Sequence, residues 1–423
     1  MPSQSSINTD AFASLRYPEF RSYLSMRFFL TFALQMKAVL VGWFIYSLTK
    51  DPLSLGMIGL AEAIPAISIA MFGGHVADRS DKRKLLFGVI CTIILAATLL
   101  FVVTLPSMQS RIDSHRLELI IYIVVFIDGL ARGFFSPAAF SLMAFIVPRE
   151  LYPNSTSWNS SSWQLASVVG PAVGGLIYGF FGISVTLGVV IGCMLISLVN
   201  VFMLKSRPIP PAEKEESIWN SLGEGIHFVF GNKMMLGAMT LDLFSVFFGG
   251  AVALLPIFAN DILKVGAEGL GILRAAPSVG AVLTMLAMTR YSPANQPWRN
   301  LIIAVSGFGI ATILFGLSTN LYLSLFFLFL TGAFDSVSVI VRSTIFQMLT
   351  PDHMRGRVSA VNSMFIGSSN EIGAFESGVT AKLFGTAPAV IFGGSMTLLI
   401  VAGTYLKTKS LMGARLIGKE IVE

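Results

Sequence analysis

The sequence predicts an all-α polytopic membrane protein, with twelve transmembrane helices in two pseudo-symmetric six-helix halves. Three observations predict it. The chain has 423 residues, of which 54% are hydrophobic and only 12% charged, whereas a soluble domain carries about 25% charged residues. Long apolar stretches recur between short polar segments, each near the roughly 20 residues that cross a bilayer. Lipid admits helices or closed barrels, and no stretch alternates with the period of two that a barrel needs.

The spans are expected at residues 23–48, 55–77, 85–105, 117–147, 158–181, 184–204, 234–261, 266–291, 298–317, 321–349, 358–383 and 389–406. Segment 205–233 divides them six and six, giving halves 1–204 and 234–423. It opens with Arg207-Pro208-Ile209-Pro210-Pro211, which cannot be helix. Beyond it, Ile218, Leu222, Ile226, Val229 and Phe230 fall on one helical face, so this piece is expected to lie along the membrane surface. Met1 to Asp10 is polar, and no cleaved signal is expected there. Cys91 and Cys193 lie in apolar spans and read as small membrane residues rather than a disulfide. His75, His115, His227 and His353 are scattered, so neither a metal nor another cofactor is expected. No phosphate-cradling loop is present to suggest ATP as a direct drive.

Basic residues set the orientation. With both termini inside, the inner segments hold Arg79, Lys82, Arg83, Lys84, Arg149, Lys205, Arg207 and most of the other loop cations. The outer segments hold only Lys50, Arg111, Arg116, Lys264 and Lys382. Short loops rich in Lys and Arg stay on the cytoplasmic side. The net charge of +6 therefore speaks of orientation and anionic lipid, not of nucleic acid. The halves echo each other. At the offset that relates Pro148 to Pro351, Asn159 meets Asn362, Gly170 meets Gly373, Gly175 meets Gly378 and Gly182 meets Gly385, the pattern of a parallel repeat.

Charges inside membrane helices are expensive and mark function or pairing. Asp128 and Arg132 lie one turn apart and can pair on one face; a structural ion pair and a coupling site are both open readings. Asp335 and Arg342 look like their counterpart in the second half. Glu371 and Glu376 share one span, and Glu376 has a plain alternative in solvent or a pair with Lys382. Glu62 stands alone among Leu60, Ala61, Ala63, Ile64 and Pro65, so it should face a cavity. Lys37 is expected to meet Glu62 or Asp128. Arg27 and Asp242 are placed near membrane ends, where their side chains snorkel, and Arg274 completes the set. In the fifth span, Gly170-Pro171-Ala172-Val173-Gly174-Gly175 reads first as a close-packed seam, bent at Pro171.

Between the second and third spans the chain runs Gly73-Gly74-His75-Val76-Ala77-Asp78-Arg79-Ser80-Asp81-Lys82-Arg83-Lys84. A block of cations in so short a turn is either a topology anchor or a latch, with Asp78 holding a neighbouring helix end. The pattern Gly74-x-x-Ala77-Asp78-Arg79-x-x-x-Arg83-Lys84 resembles the loop between helices 2 and 3 of the major facilitator superfamily. Gly170-Pro171-x-x-Gly174-Gly175 is similar to the fifth-helix motif of its proton-driven exporters. The stretch from Arg132 to Ala138, and Glu371 to Gly378, resemble its siderophore- and drug-exporter branch. The resemblance implies a secondary active transporter working by alternating access, not an enzyme. It points to proton-coupled export of an amphipathic small molecule across a bacterial inner membrane, by a monomer. In that reading Gly74, Asp78, Arg79, Arg83 and Lys84 form a cytoplasmic gate. Lys37, Glu62, Asp128, Arg132, Asp335, Arg342, Glu371 and Glu376 are candidates for proton or substrate contact. An importer of a lysolipid, sugar or peptide-like solute, and a membrane scaffold or sensor without transport, stay open as alternatives.

Overall fold

The computed structural model describes residues 10–206, 218–288, 290, 296–351, 354–413, 415–417 and 420–422. The helices are α1 (Pro18–Thr49), α2 (Pro52–Arg79), α3 (Lys82–Val103), the single turn α4 (Pro106–Gln109), α5 (Ser114–Ile146) and α6 (Tyr152–Phe202). Then come α7 (Ile218–Gly231), α8 (Lys233–Phe248), the single turn α9 (Leu255–Ile257), α10 (Gly266–Met288), α11 (Pro297–Leu317), α12 (Leu321–Leu349), α13 (Arg355–Phe384) and α14 (Thr386–Lys407). A short antiparallel pair, β1 (Arg415–Ile417) and β2 (Glu420–Val422), closes the described chain. Among the described residues nine segments are long and apolar enough to cross a membrane.

Local chemistry fixes the helix ends. Asp51, Asp81, Asp113, Asn232 and Asn320 each accept backbone N–H groups at the start of a helix, satisfying donors that a helix cannot satisfy itself. The expected fifth and sixth spans are continuous in α6 except at Gly182, whose φ of 77° breaks the helix where the two were expected to divide. A side chain is disfavoured in that left-handed conformation. The expected seventh span is not one helix. Gly249 and Gly250 end α8, and Ala251–Leu254, α9 and a π-helical turn at Phe258–Ile262 follow. The surface helix α7 lies on α8 and α13. Val229 is buried there and Glu224 pairs with Arg357. Phe230 is 52% exposed, so the buried face is narrower than its spacing predicts. Linker residues 207–217, and the side chains of Ile218 and Leu222, lie outside the described residues.

Two sets of helices emerge. In the first, α1 lies along α6, α2 along α5, and α3 against both α5 and α6. In the second, α12 lies between α10 and α11, and α14 and α13 against α8. The sets meet along two seams, α2 with α13 and α6 with α10. Each seam is centred on a pair of facing glycines. A Cβ on Gly175 would lie 2.5 Å from Gly271 Cα, and a Cβ on Gly378 would lie 2.6 Å from Gly56 Cα. Only glycine lets backbones approach this closely. Both pairs sit within about two turns of the bundle end that holds Thr49, Gly182 and Phe384, at 1.5 Å per residue. Two polar ties join the sets at that same end: Tyr46 donates to Asp261, and Lys382 pairs with Asp51.

Candidate functional site

Between the two sets lies a cavity of about 400 Å³, within the range of small-molecule sites. Its wall is largely apolar, with Leu34, Val125, Phe308 and Leu328 among its residues, and charge enters it from six helices. Lys37 comes from α1, Glu62 from α2, Asp128 and Arg132 from α5, Arg274 from α10, Asp335 from α12 and Glu371 from α13. Contact with lipid would leave any of these charges unsatisfied. The bundle therefore turns these helices so that their charges share one interior space. Of the residues predicted as site candidates, Lys37, Glu62, Asp128, Arg132, Asp335 and Glu371 are brought together. Arg342 and Glu376 are not among the cavity's lining residues.

The ion pairs differ from those that helical spacing predicts. Asp128 pairs with Lys37 of α1, not with Arg132 one turn away. Arg132 pairs with Glu62, and Glu371 lies 3.8 Å from the same guanidinium nitrogen. The Glu62 and Glu371 carboxyls also lie within hydrogen-bonding reach of each other. Glu62 is thus not the lone acid it looks like in sequence. Arg342 pairs with Asp242 of α8 rather than with Asp335, and both partners are buried. Asp242 is therefore a buried residue of the second set and does not snorkel. Arg27 donates to Tyr23 one turn back. Lys382 reaches Asp51 rather than Glu376. The common reason is geometric. A same-helix pair at i, i+4 is worth only about 0.5 kcal/mol, whereas a charge on a facing helix can satisfy a buried group directly.

The Lys37–Asp128 pair is the most enclosed of the cavity's charges, with side chains 6% and 9% exposed. Removing one partner leaves the other charged and buried, which costs about 3–5 kcal/mol. Lys37→Met is therefore expected to lower the thermal unfolding temperature in detergent strongly. The double variant Lys37→Met/Asp128→Leu is expected to regain most of the loss. Equal unfolding temperatures for Lys37→Met and the wild type would remove the pair from the list of what holds α1 to α5.

The fifth-span motif serves two neighbours at once. Cβ atoms on Gly170 and Gly174 would lie 3.0 Å from Phe32 O and from Met36 Cα of α1. Gly175 faces Gly271 of α10, and the Pro171 carbonyl, which is 3.1 Å from a Cβ built on Gly271, lines the same approach. At the other end of the bundle, the cation-rich turn binds the helix ends around it. Asp81 accepts from the N–H groups of Arg83 and Lys84 and from the Ser206 hydroxyl. Partial burial works against its charge, but those hydrogen bonds and the Lys84 ammonium hold it below the usual carboxylate range. Arg83 donates to the Phe202 carbonyl at 3.0 Å, satisfying a carbonyl at the end of α6. Arg79 ends α2. Gly74 and the side chain of Asp78 lie outside what the structure describes, so the latch itself stays an expectation.

The family model described as "Transmembrane secretion effector" matches residues 9–413. The enterobactin exporter EntS of Shigella flexneri is 25% identical over 359 residues, covering 85% of this chain and 84% of that protein. The exporter of the same name from Escherichia coli O1:K1 is equally similar. Among solved structures, the nucleoside transporter NupG superposes with a TM-score of 0.73 at 13% identity, covering 93% of this chain and 99% of that one. A D-xylose–proton symporter gives a TM-score of 0.72 at 14% identity over 95% of this chain and 100% of its own. These two share the fold. The match over nearly the whole length, on a bundle of this architecture, places the chain: it belongs to the transmembrane secretion effector family and is a multi-pass membrane transporter of the major facilitator type.

Proposed function

We propose that the protein is a proton-coupled exporter of an amphipathic small molecule, working by alternating access as a monomer in a bacterial inner membrane. The observation that carries this reading is the Glu62–Arg132–Glu371 cluster at the cavity. Glu62 and Arg132 belong to the first helix set and Glu371 to the second. One guanidinium between two carboxylates leaves one negative charge over, and a proton is the smallest group that can balance it. Gain or loss of that proton changes a contact between the two sets, which is what coupling to a conformational change requires. The exporter relatives support the direction of transport.

In this reading the two sets are six-helix halves. Twelve spans follow if α2 and α13 also cross the bilayer and α6 crosses twice around Gly182. The termini and the Arg79–Lys84 turn are cytoplasmic, as the distribution of Lys and Arg requires. The glycine seams and the Tyr46–Asp261 tie then close the outer side, and the conformation is inward-facing. Gly74, Asp78, Arg79, Arg83 and Lys84 close the inner side in the alternate state. Glu62 and Glu371 carry the proton, with Asp128, Asp335 and Glu376 as further acids.

The test is proton movement by the purified protein in liposomes, on adding siderophores, lipophilic drugs and lysolipids under an imposed pH gradient. Substrate-linked proton flux, lost in Glu371→Gln, is the expected result. Substrate flux without a proton signal would keep the transporter and discard the coupling. Flux in the inward direction with protons would replace the exporter with an importer.

A further inference from the structure

The charges around the cavity are not all spoken for. Lys37 is held by Asp128, and Arg132 by Glu62 and Glu371. Arg274 and Asp335 are different. Among the described residues neither has an ion-pair partner, and Arg274 Nε, buried, has no hydrogen-bond partner. Arg274 lies in the field of Glu62, and its Nη2 points across the cavity to within 3.9 Å of a Cβ built on Gly42 of α1. A buried guanidinium or carboxylate without a partner is costly, in proportion to what a ligand recovers by supplying one.

Both groups sit on one helix pair of the second set. A Cβ on Gly332 of α12 would lie 2.6 Å from Pro277 Cα of α10, and one on Gly280 would meet the Phe329 carbonyl oxygen, so the two helices cross between these residues. Arg274 precedes Pro277 by one turn, and Asp335 follows Gly332 by one turn. With α11 between them in the chain, α10 and α12 run in the same direction. At 1.5 Å per residue, the backbones at Arg274 and Asp335 are therefore offset by about 9 Å or more along the bundle. Between and around them the wall is apolar, with Phe308 and Leu328 on the same set and Leu34 and Val125 opposite.

We propose that Arg274 and Asp335 are the two poles of the substrate site, and that the substrate is an amphoteric amphiphile. It carries an anionic oxygen group for Arg274 and a basic nitrogen for Asp335, on an apolar body that separates them. The guanidinium fork takes a carboxylate or phenolate-type oxygen pair, and the Asp335 carboxylate accepts from an ammonium. This deepens the exporter reading and rests on it, since it assigns the same cavity to the transported molecule.

The test uses three probes of one shape: 4′-(aminomethyl)biphenyl-4-carboxylic acid, its N-acetyl derivative, which keeps only the acid, and its methyl ester, which keeps only the amine. Binding is measured by equilibrium dialysis against the full chain in nanodiscs. The amphoteric compound is expected to bind tightest. Loss of a charge-assisted contact weakens binding by about tenfold or more. Arg274→Gln is therefore expected to weaken the amphoteric and N-acetyl compounds by that factor and spare the ester. Asp335→Asn is expected to weaken the amphoteric compound and the ester and spare the N-acetyl acid. Arg274→Lys, which keeps the charge, is expected to restore part of the acid's binding. Absence of binding by all three to the wild type, or equal binding of all three with both variants unchanged, overturns the proposal. The crossed pattern found without any proton-coupled flux would sink only the exporter reading. Proton-coupled flux of other compounds without the pattern would sink only this one.

Discussion

Glu62→Gln is expected to abolish uptake driven by a pH gradient in inverted membrane vesicles, reducing it to the leak of empty vesicles, while substrate binding stays within about threefold, or roughly 0.7 kcal/mol. Glutamine keeps the length of the side chain and can still accept from Arg132, the partner that Glu62 holds in the structure. It cannot take up or release a proton. With the charge gone, Arg132 is left to Glu371, which already stands 3.8 Å away, and the carboxylate excess that calls for a proton disappears. Coupling should therefore fail before binding does, and equilibrium exchange of substrate across the membrane should persist. Undiminished pH-driven uptake would remove Glu62 from the proton path. Loss of binding together with uptake would make it a packing or substrate residue instead.

The helical architecture was legible because lipid leaves few choices. An apolar run of the right length must be a helix, and the expected span 321–349 coincides with α12. The break at Gly182 was legible because the two runs on either side of it are each long enough to cross. The run from Met234 to Asp261 was legible as a span but not as a broken one, because hydropathy does not see backbone. Gly249, Gly250 and Pro256 interrupt it, yet they are as tolerable to lipid as their neighbours. The site was legible as a set of charged residues, and of its pairs only Lys37 with Asp128 was among those expected. Sequence spacing ranks only neighbours on one helix, so it matched Asp128 with Arg132 and Asp335 with Arg342. The fold instead brings Lys37, Glu62 and Asp242 from facing helices. One signal was available: Lys37 and Glu62 stand in apolar spans without any same-helix partner, which demands a partner elsewhere. The same demand applied to Arg274, between Leu273 and Ala275 in an apolar run, and it is the residue that the sequence left without a role.

The second large effect is expected at the glycine seams. Gly175→Val and Gly378→Val should each cut transport by about tenfold or more, the factor that a 1.4 kcal/mol loss of the closed state produces. The two positions are equivalent in the repeat, and each faces another glycine on the opposite set. Even an alanine Cβ at position 175 would stand 2.5 Å from Gly271 Cα. The atom met is backbone, so no side chain can turn aside to relieve it, and overpacking of this kind costs about 1–3 kcal/mol. That energy falls only on the state in which the sets are closed at this end. It should therefore appear as a shift between states, not as general unfolding. A cysteine placed at Leu55, which lines the cavity near the seam, in a chain with Cys91 and Cys193 replaced by serine, should react faster with an impermeant maleimide added from that side. Gly188→Val is the control, because a Cβ there meets nothing within 4 Å, and its transport and labelling should match the wild type. If Gly175→Val transports and labels as the wild type does, the seam is not a moving contact. If it transports poorly but labels as before, the glycine serves the packing of a single state. Only faster labelling together with slower transport is what two seams that open and close around a central site would give.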